Sequence, residues 1–192
     1  MASKLIHFFN GRARHYERIL SLPFFRAFER NEIERILQMV DASGKTVLDI
    51  GCGTGRFCRL WGSRGARLVI GMDFSQEMIG IARDKCGPNF LLGDAFNIPF
   101  KSGSFDIVSC IGLANYYRDV TPLLEEIMRV GDEFIITFPG ASLLGRTYKL
   151  ISPVEIFLRK KMEVEELLYS HTSDFSLVEC ASGLTLLIRG RR

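Results

Sequence analysis

The sequence predicts an α/β fold: a doubly wound, mainly parallel sheet with helices on both faces. Three observations predict it. Short apolar runs alternate with amphipathic stretches between Thr46 and Phe138, helix-start residues stand between them, and the chain closes on two strand-like runs around a turn. Strands and helices alternating at this spacing imply parallel pairing, because each helix carries the chain back across the sheet.

The first element is a helix over 24–41, where Phe24, Phe28, Ile33, Ile36, Leu37 and Val40 recur at helical spacing. Five strand runs follow. They are Val47-Leu48-Asp49-Ile50, Leu68-Val69-Ile70-Gly71-Met72, Phe90-Leu91-Leu92, Phe105-Asp106-Ile107-Val108-Ser109-Cys110 and Phe134-Ile135-Ile136-Thr137-Phe138. Helices are expected between them near 56–63, 76–86 and 122–130. Ser75 is placed to cap the second of these, and Thr121 followed by Pro122 reads as the N-cap and first helical residue of the third. Residues 139–161 then show no clear period and contain Pro139, Gly140, Gly145 and Pro153. A helix over 163–170 and strands over 175–180 and 184–188, turning at Ser182-Gly183, complete the chain.

Composition narrows the class. A chain of 192 residues with 47% hydrophobic and 24% charged residues suits one globular domain. No apolar run approaches the roughly 20 residues that span a bilayer. Leu5-Ile6-His7-Phe8-Phe9 is too short for a secretory signal, so a cytoplasmic protein is expected. The five cysteines include no Cys-x-x-Cys pair, which argues for thiols over a disulfide framework or a metal site. The formal net charge of +3 is too weak to point to nucleic acid.

The chemistry lies at the strand ends. After the first strand comes Asp49-Ile50-Gly51-Cys52-Gly53-Thr54-Gly55. Glycines here let the backbone turn tightly and approach a ligand. A dinucleotide loop reads Gly-x-Gly-x-x-Gly and sets a pyrophosphate on the helix N-terminus. Here glycine holds the first, third and fifth positions and Arg56 the sixth, which favours a ligand without a pyrophosphate. S-adenosylmethionine (SAM) is such a ligand. Its methionine carboxylate and ammonium can lie over the loop, with Asp49 on the ammonium side. Asp73 ends the second strand and can accept from both ribose hydroxyls. Phe74 and Met78 are placed near the adenine. At the end of the third strand, Gly93-Asp94-Ala95 offers a carboxylate to the adenine amino group and backbone to the ring.

These segments, with Ile98-Pro99-Phe100 and Phe105-Asp106-Ile107-Val108, resemble the successive motifs of class I SAM-dependent methyltransferases. The resemblance covers about 45–190. It implies a Rossmann-like seven-stranded sheet of order 3-2-1-4-5-7-6 with the last strand antiparallel, SAM as cofactor and S-adenosylhomocysteine (SAH) as product. It also implies cofactor contacts from Asp73 on the ribose and Asp94 on the adenine, and Tyr16 near SAM from an N-terminal lid. The division that follows is a helical lid over 1–44, a cofactor core over 45–138, a substrate lid over 139–161 and a closing helix and hairpin over 162–192. One departure is Arg129-Val130-Gly131-Asp132-Glu133, which is shorter than the Leu-Lys-Pro-Gly-Gly turn of many relatives.

Acceptor chemistry is less legible. Ile111-Gly112-Leu113-Ala114-Asn115-Tyr116-Tyr117 follows the fourth strand, where the methyl group would lie. Ile111 is expected to touch the cofactor, and Asn115, Tyr116 and Tyr117 are the candidates to orient an acceptor. The alternative is that the tyrosines only pack the loop. Absence of an Asn/Asp-Pro-Pro-Tyr/Phe motif argues against a nucleobase amine. Cys52 and Cys110 are expected to line the pocket without reacting. The N-terminal segment and 139–161 are rich in apolar and basic residues. They read either as lids that bury their own aromatics or as contacts for an apolar acceptor, with weak peripheral attachment to anionic membrane. Three functional readings stay open: a methyltransferase on a small molecule, a non-catalytic SAM-binding regulatory or partner subunit, and a methyltransferase on RNA or protein. A nicotinamide dehydrogenase is the most distant fourth.

Overall fold

A computed structural model describes residues 5–11, 13 and 23–192, with backbone alone over 23–28. Helix α1 (Pro23–Met39) precedes strand β1 (Thr46–Ile50). Then come α2 (Arg56–Ser63), β2 (Leu68–Asp73), α3 (Gln76–Cys86), β3 (Phe90–Leu92) and β4 (Phe105–Cys110). Helix α4 (Thr121–Val130), β5 (Gly131–Pro139), α5 (Leu143–Ile151), α6 (Lys161–Tyr169), β6 (Phe175–Cys180) and β7 (Thr185–Arg191) complete the order. The seven strands form one sheet in the order β3-β2-β1-β4-β5-β7-β6, as the resemblance implied. Strands β1 to β5 pair in parallel, and β7 runs against both β5 and β6.

Alternation along each strand explains the two covered faces. Val47, Ile107, Ile135 and Leu187 point to one side, where they pack with Ile36 and Val40 and with Trp61 of α2. Their neighbours Leu48, Val108, Ile136 and Ile188 point to the other, against Leu123, Leu124 and Ile127 of α4 and Val164 and Leu168 of α6. Burial on both faces is why these strands read as continuous apolar runs.

Three local expectations are corrected. Helix α4 begins at Thr121 with Val120 as its N-cap, so Pro122 is the second helical residue and Thr121 is not the cap. Asp119 accepts from the Thr121 N–H at 3.0 Å and supplies that capping contact. Residues 143–151, expected to lack regular structure, form α5, started by Ser142 accepting from the Gly145 N–H. The short segment before the fifth strand is no turn: α4 runs to Val130 and β5 starts at Gly131. A Cβ on Gly131 would stand 2.4 Å from Val108 Cγ2, so only glycine allows this direct passage. Ser75 does cap α3, accepting from the Met78 N–H at 3.2 Å.

Candidate active site

The C-terminal ends of the parallel strands meet at a crevice, where open α/β sheets bind ligands. The Gly51 and Cys52 N–H groups both donate to the Met72 carbonyl, at 2.8 and 3.1 Å, which ties the loop to β2. Gly51 and Gly53 have φ of 68° and 53°, the left-handed region that favours glycine, and nothing stands within 4 Å of a Cβ placed on Gly53. The outer side of the loop is therefore bare backbone. Asp73 secures it from below: one carboxylate oxygen accepts from the Gly53 N–H at 2.9 Å, the other from the Ser75 N–H at 2.8 Å. Burial raises the Asp73 carboxyl above its usual range, opposed by those backbone donors. The Phe74 N–H is a third such donor; an ionised carboxylate has about four acceptor positions, so about one remains for a hydroxyl donor.

From Asp73 a groove of about 380 Å³ leads past Phe74 to Gly93, Asp94 and Ala95. Asp94 accepts from the Phe96 N–H at 2.9 Å, which fixes its turn. A second cavity, of about 370 Å³, shares Gly51, Asp73, Phe74 and Leu113 with the groove. Its wall includes Cys52, Met78, Ile111, Asn115 and Tyr116, and it extends to Thr137 of β5, Thr185 of β7 and Leu144, Tyr148 and Ile151 of α5. The helical segment 5–11 roofs both spaces. Ile6 faces the groove and Phe9 the cavity. Phe9 packs edge-on against Phe74 and Tyr116, with ring centroids 6.2 and 5.4 Å apart. Asn10 accepts from the Ser75 hydroxyl at 2.5 Å.

Most of the residues singled out in the sequence therefore converge here, with exceptions. Asp49 is on neither wall. It is 2% exposed and lies beneath the loop, accepting from the Ser109 hydroxyl and, at 3.3 Å, from the Cys58 thiol. Burial pushes its carboxyl up to about 6, with those two hydrogen bonds opposing. A direct contact with a ligand ammonium is thus not what its position offers; it ties β1 to β4 and α2. Gly55 also lies off the cavity, packed on Cys86 and Phe90. Met78 faces the second cavity, away from the adenine end, and Tyr117 faces the groove, edge-on against Phe96 at 4.7 Å. Cys110 is buried in the core, where burial raises its thiol, and does not reach the wall as Cys52 does. Tyr16 lies outside the described residues. Sequence reading passed over Glu29 and Glu32 of α1, which line the second cavity beside Arg56. Arg56 alone left a signal, as the residue standing where a dinucleotide loop has glycine.

The residues fit a nucleoside bearing a charged tail. Asp73 keeps a spare acceptor, the loop is open at Gly53, and Arg56 Nη1 is buried at the same wall without a hydrogen-bond partner among the described residues. Residues 48–133 match the family model of the methyltransferase domain. Over this span the chain is similar to the class I SAM-dependent methyltransferases. A malonyl-[acyl-carrier protein] O-methyltransferase of Serratia marcescens is 34% identical over 123 residues, covering 63% of this chain and 46% of that protein. A demethylmenaquinone methyltransferase of Lactococcus lactis is 35% identical over 131 residues, covering 64% and 52%. The chain thus spans about half the length of the curated relatives it matches. In fold it is similar to magnesium protoporphyrin IX methyltransferase from Synechocystis, solved with bound SAH, at a TM-score of 0.77 and 19% identity over 100% of both chains. A SAM-dependent methyltransferase of Thermotoga maritima gives 0.79 and 22% over 96% and 98%. SAM is the cofactor of this family.

Proposed function

We propose that this protein transfers the methyl group of SAM to a small, apolar acceptor held in the second cavity. One observation carries the reading: the groove that suits an adenosyl group and the cavity that suits an acceptor adjoin, with Gly51, Asp73, Phe74 and Leu113 in the walls of both. SAM when bound supplies a methyl group already activated on a sulfonium, so positioning provides much of the rate. Asp73 holds the ribose, and Asp94 and Ala95 hold the adenine. Asn115 and Tyr116, on the cavity wall, orient the acceptor. Phe9 and the segment 5–11 exclude water from the crevice.

The acceptor class follows from the walls. Leu144, Tyr148, Ile151 and Leu184 give the far end of the cavity an apolar surface. The relatives are named for malonyl-[acyl-carrier protein], demethylmenaquinone and magnesium protoporphyrin IX, which supports a non-nucleic-acid acceptor. On this reading the enzyme works in the cytoplasm, with its cysteines as thiols, and α5 touches anionic membrane.

Incubation with methyl-tritiated SAM and a whole-cell extract tests the proposal. Label is expected in an organic-phase product. Label confined to RNA or protein, or no transfer by protein that binds SAH, would instead favour the macromolecular or the non-catalytic reading.

A further inference from the structure

Leu144 and Ile151 of α5, with Pro139 and Leu184, give one end of the second cavity its apolar wall. A buried carboxylate interrupts that wall. Glu29 and Glu32 stand three residues apart on α1 and so share a face, yet they meet different neighbours. Glu29 Oε1 pairs with Arg56 Nη2 at 2.5 Å, beside the glycine loop. Glu32 accepts from the Thr185 hydroxyl at the start of β7, and its charge reaches Tyr148 of α5 and Cys180 of β6. It lines the cavity, is 7% exposed, and has no ion pair of its own among the described residues. Taking a carboxylate out of water is costly unless donors replace the lost water. The Thr185 hydroxyl fills one of about four acceptor positions. The α5 end of the cavity thus holds an underused acceptor in a wall that otherwise suits hydrocarbon.

We propose that Glu32 selects the methyl acceptor: its carboxylate accepts a hydrogen bond from a hydroxyl on the acceptor, while the apolar wall takes the hydrocarbon body. The substrate class is then an alcohol or phenol with a hydrocarbon body. A wholly apolar molecule would leave the carboxylate unmatched, and a carboxylate would be repelled by it. The inference rests on the reading of this cavity as the acceptor's. Glu32 acts in it as a specificity-determining residue, and Thr185 positions its carboxylate.

A pH dependence follows. The groups facing Glu32 are Glu29 on α1, Arg56 on α2, Tyr148 on α5, Cys180 on β6 and Thr185 on β7. Burial pushes the Glu32 carboxyl up to about 7; Arg56 opposes this, Glu29 adds to it, and Thr185 opposes. The ionised form is the stronger acceptor, so recognition of a hydroxyl strengthens as pH rises through that value. A phenol, which ionises near about pH 10, stays neutral across the same range.

Calorimetry on the SAH-loaded protein with two probes tests it: para-propylphenol, and para-propylanisole, in which a methyl group replaces the hydroxyl hydrogen. Wild type is expected to bind the phenol about tenfold more tightly at about pH 8 than at about pH 6, with no such trend for the anisole. At about pH 8 the phenol should bind about tenfold more tightly than the anisole. Glu32→Gln should weaken the phenol about tenfold at about pH 8, flatten its pH profile and leave the anisole within about twofold. The two wild-type comparisons stand even if the variant does not fold. The proposal is overturned if wild type binds both probes alike at about pH 8, or if the pH trend for the phenol survives in Glu32→Gln. Binding of SAH but of neither probe overturns it together with the acceptor reading of the cavity, while sparing the groove. Failure of wild type to bind SAH removes the SAM reading as well.

Discussion

Asp73 serves two purposes with one carboxylate. It accepts from Gly53, Phe74 and Ser75 to hold the loop, and its remaining acceptor position faces the groove. We expect Asp73→Ala to weaken SAH by about a hundredfold or more, since a charge-assisted hydrogen bond to the ligand is lost and the loop loses its anchor. Wild-type affinity in that variant, measured by calorimetry, would remove the ribose assignment. Buried acids also set a pH dependence of stability. The carboxyl of Asp49 is raised from 3.8 to about 6 and that of Glu32 from 4.5 to about 7. Both native values lie above the unfolded ones, so the native state keeps these protons longer. Their contribution is complete below about pH 4 and is lost as pH rises through about 6 and 7, on the order of 3 kcal/mol each. The urea midpoint should therefore fall between about pH 5 and about pH 8, and Glu32→Gln should flatten the upper part of that fall. An equal fall in the variant would show that Glu32 does not titrate in this window. At this scale the sequence exposed the acids at strand ends, because the strand fixes where they point. It hid Glu32 and Arg56, which meet only when α1 packs across the loop.

At the scale of elements, β1 to β4 and their helices were readable to within one or two residues, since both faces of the sheet bury what the period exposes. Helix α5 was not. Its Leu144, Tyr148 and Ile151 line an open cavity rather than a packed core, and Leu143 and Leu150 face solvent, at 81% and 85% exposure. No single face is apolar, so no helical period stands out. Those exposed leucines sit with Arg146 and Lys149 on a helix that has no acidic residue. Such a helix suits the surface of an anionic bilayer. Co-sedimentation with vesicles of phosphatidylcholine and phosphatidylglycerol at low salt should retain the protein. Leu143→Ser with Leu150→Ser should weaken that binding by about tenfold. Wild-type protein that stays in the supernatant would remove the membrane contact.

At the scale of the whole molecule, one sheet sets the chemistry. Its parallel strands deliver the loop, Asp73 and Asp94 to one edge, while the reversed β7 brings Leu184 and Thr185 to the far wall of the cavity. The cofactor end was legible because it is built from consecutive strand ends. The acceptor end combines α1, α5 and β7, which are distant in sequence, and so it emerged only from the fold. No helix among the described residues is long and apolar enough to cross a membrane. The account stands on SAM as the ligand of this sheet edge, and Arg56 in place of the sixth-position glycine is the residue that turned the reading away from dinucleotides. Calorimetric titration of the chain with SAH and with NAD is the most direct measurement. One SAH bound per chain and no heat from NAD is the predicted result; binding of NAD, or no binding of SAH, would contradict it.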